Sequence, residues 1–328
     1  MNTGTRKQTS NTFIHYDYEK AYEKSLEDLA EFEVERLIKR GKSKIVYATK
    51  EIRSGEQLEI EIYPEFTRRD VAHIPAGCRL KKDNRKAMNN LNDKNSRKAC
   101  ERIINTNFGT HDIWMTLTYR NSDLPQDFEH AQKNIQNYMR KVNYWRKKEG
   151  LPNAKYVYIT EWLEADEDDG TDTEETENPR RRKYSRRKKA SNEIRCHHHV
   201  VIDGAMSMDR LEELWKHGSR NETRRLSKDE YGLSGMANYI TKQPRRKHIK
   251  KWCASKGLEQ PQENKNHYKF NRRKVENMVK DHAMIQTYME KWYSPKGYIF
   301  TDAKIYYNEV NAHFYISARM RKTEKMRN

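Results

Sequence analysis

The sequence predicts an α+β fold in which a central antiparallel sheet carries helices on one face. Residues 114–119, 156–161 and 196–202 are rich in β-branched and aromatic side chains and read as strands. Helical periodicity fills the interval after the first of them and resumes after the third. The order is therefore strand, helix, strand, strand, helix, which suits a palm of antiparallel strands covered on one side. This central region spans 111–250, preceded by a basic α+β extension over 1–110 and followed by a basic helix-plus-strands region over 251–328.

Residues 1–15 are polar and read as a frayed end. From Tyr16 to Arg40, the residues Tyr22, Leu26, Leu29, Phe32, Val34 and Leu37 recur at mostly helical spacing, and Gly41 ends the pattern. The period then changes to that of strands over 44–48 and 58–63, which flank a turn at Ser54 and Gly55. Residues 79–102 are strongly basic, through Arg79, Lys81, Lys82, Arg85, Lys86, Lys94, Arg97, Lys98 and Arg102. A solvated helix face and a phosphate contact fit that run equally well. Gly41, Lys42 and Ser43 imitate the end of a phosphate-binding loop, but position 36, where the loop needs its first glycine, is Arg. An ATPase is excluded on that ground.

In the central region Leu124 and Pro125 interrupt the chain before a helix over 127–148, with Phe128, Ile135, Tyr138, Val142 and Trp145 at helical spacing and Gly150 closing it. Ser207 caps a second helix through Met208, Leu211, Leu214 and Trp215. Residues 164–190 are almost uniformly acidic and then almost uniformly basic, with few apolar side chains, and read as an exposed insertion between two sheet strands. Residues 233–244 read as a short helix stopped by Pro244, with Tyr239 and Lys242 on one face. Further on, 271–293 reads as one basic helix, and 298–300, 305–307 and 313–316 as short strands. The basic stretches 244–251 and 319–327 suit DNA contact or solvated surface equally.

Of the 328 residues, 66 are Lys or Arg and 48 Asp or Glu, a formal net charge of +18. That excess points to a polyanionic partner, and the 6 Trp, 20 Tyr and 8 Phe suit base stacking alongside phosphate neutralisation. No stretch resembles a signal peptide or a membrane span, so a membrane partner is not expected. Cys78, Cys100, Cys196 and Cys253 form no Cys-x-x-Cys, which favours a reducing cytoplasm and argues against a Cys-paired zinc finger.

The chemistry concentrates at Arg195-Cys196-His197-His198-His199-Val200. Successive side chains of a strand point to opposite faces, so His197 and His199 project together while His198 joins Cys196, Val200 and Ile202. Two imidazoles on one face can share a metal ion, although an isolated His-x-His is more often simply hydrogen-bonded.

Taken in order, Trp114-Met115-Thr116-Leu117-Thr118-Tyr119, the strand ending in Glu161, His197-His198-His199 with its apolar tail, and Tyr239-Ile240-Thr241-Lys242 resemble the motifs of HUH-type rolling-circle replication initiators. These are the Rep proteins of small single-stranded DNA phages, plasmids and integrated elements of bacteria. The resemblance covers about residues 111–245, and its specificity lies in the ordered set. It implies a ferredoxin-like, RRM-like palm whose sheet presents two His and a third acidic or polar ligand to one divalent ion. By that resemblance His197 and His199 are paired metal ligands, Glu161 is the third, Tyr239 is the nucleophile and Lys242 stands beside it. The implied activity is site-specific nicking and joining of single-stranded DNA at a replication origin through a 5′-phosphotyrosine. The cofactor is Mg²⁺ or Mn²⁺, with imidazole ligation favouring Mn²⁺. A helicase and a DNA polymerase of the host or element are the implied partners, in the cytoplasm of a bacterial cell.

The chain departs from that family in two places. His198 stands where members carry a bulky apolar residue, which leaves open a slipped pairing through His198, and the charged insertion separates Glu161 from the His residues. Gly235, Met236, Lys242 and Gln243 occupy the positions one turn either side of Tyr239, so a second tyrosine cannot alternate with it. Two other classes remain: a different HUH enzyme, relaxase or transposase, and a non-catalytic basic nucleic-acid-binding protein with a structural His cluster.

Overall fold

The structure is a computed structural model that describes residues 24–26, 29–40, 45–65, 85–163, 195–218, 221–242, 249–308 and 311–323. The expected frayed end at 1–15 and the charged insertion at 164–190 lie outside these residues, as does much of the basic stretch 244–251. In chain order the elements are β1 (Lys24–Ser25), α1 (Glu31–Arg40), β2 (Val46–Ser54), β3 (Gln57–Glu65), α2 (Arg85–Asn107), β4 (Ile113–Thr118), α3 (Phe128–Lys148), β5 (Tyr156–Leu163) and β6 (Arg195–Ile202). They continue with α4 (Met208–Leu214), β7 (Glu222–Arg225), α5 (Ser234–Ile240), β8 (Cys253–Ala254), β9 (Gln262–Asn266), α6 (Arg272–Lys280), α7 (Ala283–Tyr293), β10 (Tyr298–Asn308) and β11 (His313–Lys322). The protein is thus α+β with two antiparallel sheets. No helix among the described residues is long and apolar enough to cross a membrane.

The chain divides into two compact units. Unit 1 takes residues 1–107, 228–239 and 259–328; unit 2 takes 108–227 and 240–258.

In unit 1 the strands run in the order β1-β10-β11-β3-β2-β9. The regions 1–110 and 251–328, expected as separate extensions, therefore share one sheet, because β11 pairs with β3 from Ile316 opposite Ile62 to Arg321 opposite Gln57. The hairpin between β2 and β3 turns at Gly55, whose φ of 61° lies in the left-handed region that glycine enters at no steric cost. Leu58, Ile60, Ile62, Ile316, Ala318 and Met320 are buried with Val275, Met278, Val279, Ile285 and Met289 of α6 and α7 in a single core. Of the helix expected over 16–40, residues 16–23 lie outside the described residues; Lys24 and Ser25 pair instead with Tyr307 and Tyr306, and the described helix is Glu31–Arg40. The single helix expected over 271–293 is two, broken at Asp281, which ends α6 in an extended conformation (φ −133°, ψ 106°). The three short strands expected after it are two long ones, with a register shift between Phe300 and Asp302.

Three cations of α2 are ion-paired within unit 1. Arg102 is bidentate to Glu59, at 3.0 and 2.7 Å, and also reaches Glu61; Lys98 pairs with Glu61 at 3.1 Å; and Arg97 pairs with Asp93. Arg102 and Lys98 anchor the helix to β3 while Arg97 pairs within the helix, which disfavours the phosphate-contact reading for these three.

Unit 2 has the strand order β7-β4-β6-β5-β8. Asp127 caps α3 by accepting from the His130 N–H, and Gly150 follows its end with φ 73°. Ser207 caps α4 by accepting from the Arg210 N–H. Ile135, Tyr138, Met139 and Val142 of α3 and Leu211 and Leu214 of α4 are buried with Met115, Leu117, Val200 and Ile202, so both helices cover one face of the sheet. Where β6 ends, Asp203 accepts from buried Arg146 (2.8 Å) and from the Lys155 N–H (2.6 Å), tying strand end to helix. Strands β7 and β8 were not expected; Glu-Thr-Arg-Arg and a two-residue pairing carry no strand pattern that sequence alone reveals.

Candidate metal centre

Strand alternation decides which histidines meet. Val200 and Ile202 lie in the core beneath α3 and α4, and His198, of the same parity, points with them and is fully buried. His197 and His199 project from the opposite face. In the β5–β6 register Glu161 is the direct partner of His197. Its Oε2 lies 2.9 Å from His197 Nε2 and 3.3 Å from His199 Nε2. One ligand atom from each of the three falls within 4.8 Å of the others, the only such group among the described residues.

The donor set suits a small divalent ion. Ligands on adjacent corners of an octahedron with bonds of about 2.1 Å stand about 3 Å apart, which is the spacing of Glu161 Oε2 from each imidazole. The side chains are 25 % exposed at His197, 19 % at Glu161 and 4 % at His199, so the cluster is reachable from one side and walled on the other. Thr116 Oγ1 sits 3.3 Å from His199 Nδ1, which leaves Nε2 to face Glu161. The Trp114 ring stacks obliquely on His199 at 5.1 Å, and the two imidazoles meet edge to face at 4.8 Å.

His198 is a structural residue. Tyr119 Oη lies 2.7 Å from its Nε2 and Thr160 Oγ1 lies 2.9 Å from its Nδ1, so both ring nitrogens are engaged. Burial pushes its pKa down to about 3, with the neighbouring imidazoles adding to the effect. Burial likewise pushes the Tyr119 phenol above its usual range. Gln132 donates to Thr160 Oγ1 at 2.7 Å, and Trp215 meets His198 edge to face at 5.6 Å. The slipped pairing through His198 is thereby disfavoured by geometry.

Tyr239 lies near the end of α5 and is 63 % exposed. The start of that helix is held by buried Asn105, whose Oδ1 accepts from the Leu233 N–H at 2.8 Å. The expectation that Tyr239 and Lys242 share a helical face is corrected: α5 stops at Ile240, ahead of Pro244, and Lys242 is exposed beyond it. Tyr239 belongs to unit 1, while Lys242 belongs with the His cluster to unit 2.

Sequence reasoning overlooked Thr116, Thr160 and Tyr119, which orient the histidines. The polar Thr116 and Thr118, alternating with apolar Met115 and Leu117, were the available signal. No family of known proteins, no curated protein and no solved structure matches this chain.

Proposed function

We propose that the chain is a metal-dependent enzyme of the HUH type that nicks and rejoins single-stranded DNA at an origin to start rolling-circle replication. The observation that carries this reading is the cross-strand placement of Glu161 against His197, with His199 on the same face. The strand order β7-β4-β6-β5, with α3 after the first strand in sequence and α4 after the third, supports it as the order that a ferredoxin-like palm requires. The formal charge of +18 supports a nucleic-acid substrate.

In this reading Glu161, His197 and His199 would hold one Mg²⁺ or Mn²⁺, which when bound would supply charge stabilisation to the reacting phosphate. The Tyr239 phenol oxygen attacks phosphorus in line. Its bond to phosphorus forms as the bond from phosphorus to the 3′-oxygen breaks, and the phenolic proton leaves Tyr239 while the departing 3′-oxygen takes one up. The product is a 5′-phosphotyrosine and a free 3′-hydroxyl that primes synthesis; rejoining is the reverse. Lys242, exposed beyond α5, would contribute positive charge toward the phosphodiester backbone. A helicase and a DNA polymerase of the host or element would extend the nick.

The test is a supercoiled plasmid carrying the element's origin, incubated with the protein and Mn²⁺. Nicking with a covalent adduct mapped to Tyr239, lost in Tyr239→Phe and kept in Tyr231→Phe, is the expected result. The Asp302 carboxylate holds the Tyr231 phenol above its usual range. Retardation of DNA without nicking would instead identify a non-catalytic binder, and an adduct at another residue would overturn the Tyr239 assignment.

A further inference from the structure

We propose that the outer face of α3 is a second contact surface for single-stranded DNA, separate from the Glu161, His197 and His199 cluster. Helix α3 packs on the sheet face that carries Val200 and Ile202, whereas the cluster projects from the other face. A strand held by the cluster therefore does not lie on this helix.

Three features define the surface. Lys133, Asn137, Arg140, Tyr144 and Lys147 recur at three- and four-residue steps and make one stripe, about 21 Å long at 1.5 Å per residue. No acidic residue occurs between Lys133 and Lys148. The cations are held by neutral groups: Arg140 donates to Asn137 Oδ1 at 2.8 Å, Lys141 to the Leu214 carbonyl at 3.4 Å, and Lys148 sits 4.8 Å over both the Tyr144 and Trp145 rings. Among the described residues none of these three is ion-paired, in contrast to Arg97, Lys98 and Arg102 of α2. Apart from buried Arg146, which pairs with Asp203, the cations of α3 are spaced along a line, as a phosphate backbone is.

Tyr144 selects a single strand over a duplex. Its ring is 55 % exposed between Arg140 and Lys147 of the stripe and meets Trp145 edge to face at 5.7 Å. An exposed aromatic among cations offers stacking to an unpaired base, which a duplex does not present. Choosing DNA as the polyanion rests on the proposed nicking function; the surface itself does not.

Fluorescence anisotropy with a labelled single strand of about 30 nucleotides, across about 50 to 200 mM salt, tests this on the full chain. Replacing Arg140, Lys147 and Lys148 together by Glu should lower affinity at least about tenfold and flatten the log–log salt slope by about 2, given about 0.7 per phosphate contact. Tyr144→Ala should lower affinity about tenfold with the slope unchanged. Circular dichroism melting and Mn²⁺ titration should match the parent in both variants. If the parent binds single strands and the triple variant binds equally well, this proposal alone falls. If the parent binds no DNA, the nicking function falls with it. Equal losses on duplex with Tyr144→Ala silent would overturn the single-strand assignment, and unchanged DNA binding with lost retention of polyglutamate would make the face an acidic-protein dock.

Discussion

Glu161 and His197 are cross-strand partners, and the carboxylate Oε2 stands 2.9 Å from the imidazole Nε2. Residues thirty-six positions apart along the chain are placed as if adjacent by antiparallel register alone, so a shift of one residue in β5 or β6 would send one of them to the helix-covered face. The first prediction follows from that dependence. Replacing His197, His199 or Glu161 by Ala should weaken Mn²⁺ binding in calorimetry by more than about 100-fold, beyond what outer-sphere changes cause. His198→Ala should instead destabilise the fold by about 2 to 4 kcal/mol, through a cavity and two lost hydrogen bonds. Mn²⁺ binding by the folded fraction should persist; the reverse pattern would show that the register is wrong.

Thr116 is the simplest probe of ring orientation. Thr116→Val keeps the shape of the side chain and removes the Oγ1 that lies 3.3 Å from His199 Nδ1. Mn²⁺ affinity should fall about tenfold with the melting temperature nearly unchanged. Affinity equal to the parent's would show that Trp114 alone orients His199.

Leu163 and Arg195 face each other across the β5–β6 pair. Replacing residues 164–190 by a short Gly/Ser turn leaves that turn and residues 191–194 to connect two strand ends that already pair, and loop length carries only a logarithmic cost. Unfolding free energy should change by less than about 1 kcal/mol, and cleavage of a short single strand should remain. An insoluble product would show that the segment contributes to the fold.

In unit 1, burial pushes the His313 pKa down to about 4 from an ordinary 6.5, with the Arg272 charge adding to it. The native imidazole stays neutral while the unfolded chain takes up a proton, so the stability this residue contributes is present above about pH 6.5 and is lost as pH falls toward 4. Denaturant unfolding should cost at most about 2 kcal/mol less at pH 5 than at pH 7.5 on this account. His313→Gln should remove that difference; an equally steep acid limb in the variant would assign it to other groups.

The sequence by itself determined what depends on near neighbours. Ser207 and Gly150 mark helix ends because capping is a matter of residues within a turn, and His197 and His199 share a face because strand geometry repeats every two residues. The α+β class was legible for the same reason. Only the tertiary structure decided what depends on residues far apart in the chain. Nothing local to β3 or β11 announces that they pair, yet that pairing merges the two ends of the chain into one sheet. The charge partners of the two helices were likewise decided across space: Arg102 and Lys98 of α2 meet Glu59 and Glu61, whereas Arg140 and Lys141 of α3 meet Asn137 and the Leu214 carbonyl. Long-range register and charge pairing are set by the free energy of the packed whole, and a local pattern carries little of that information.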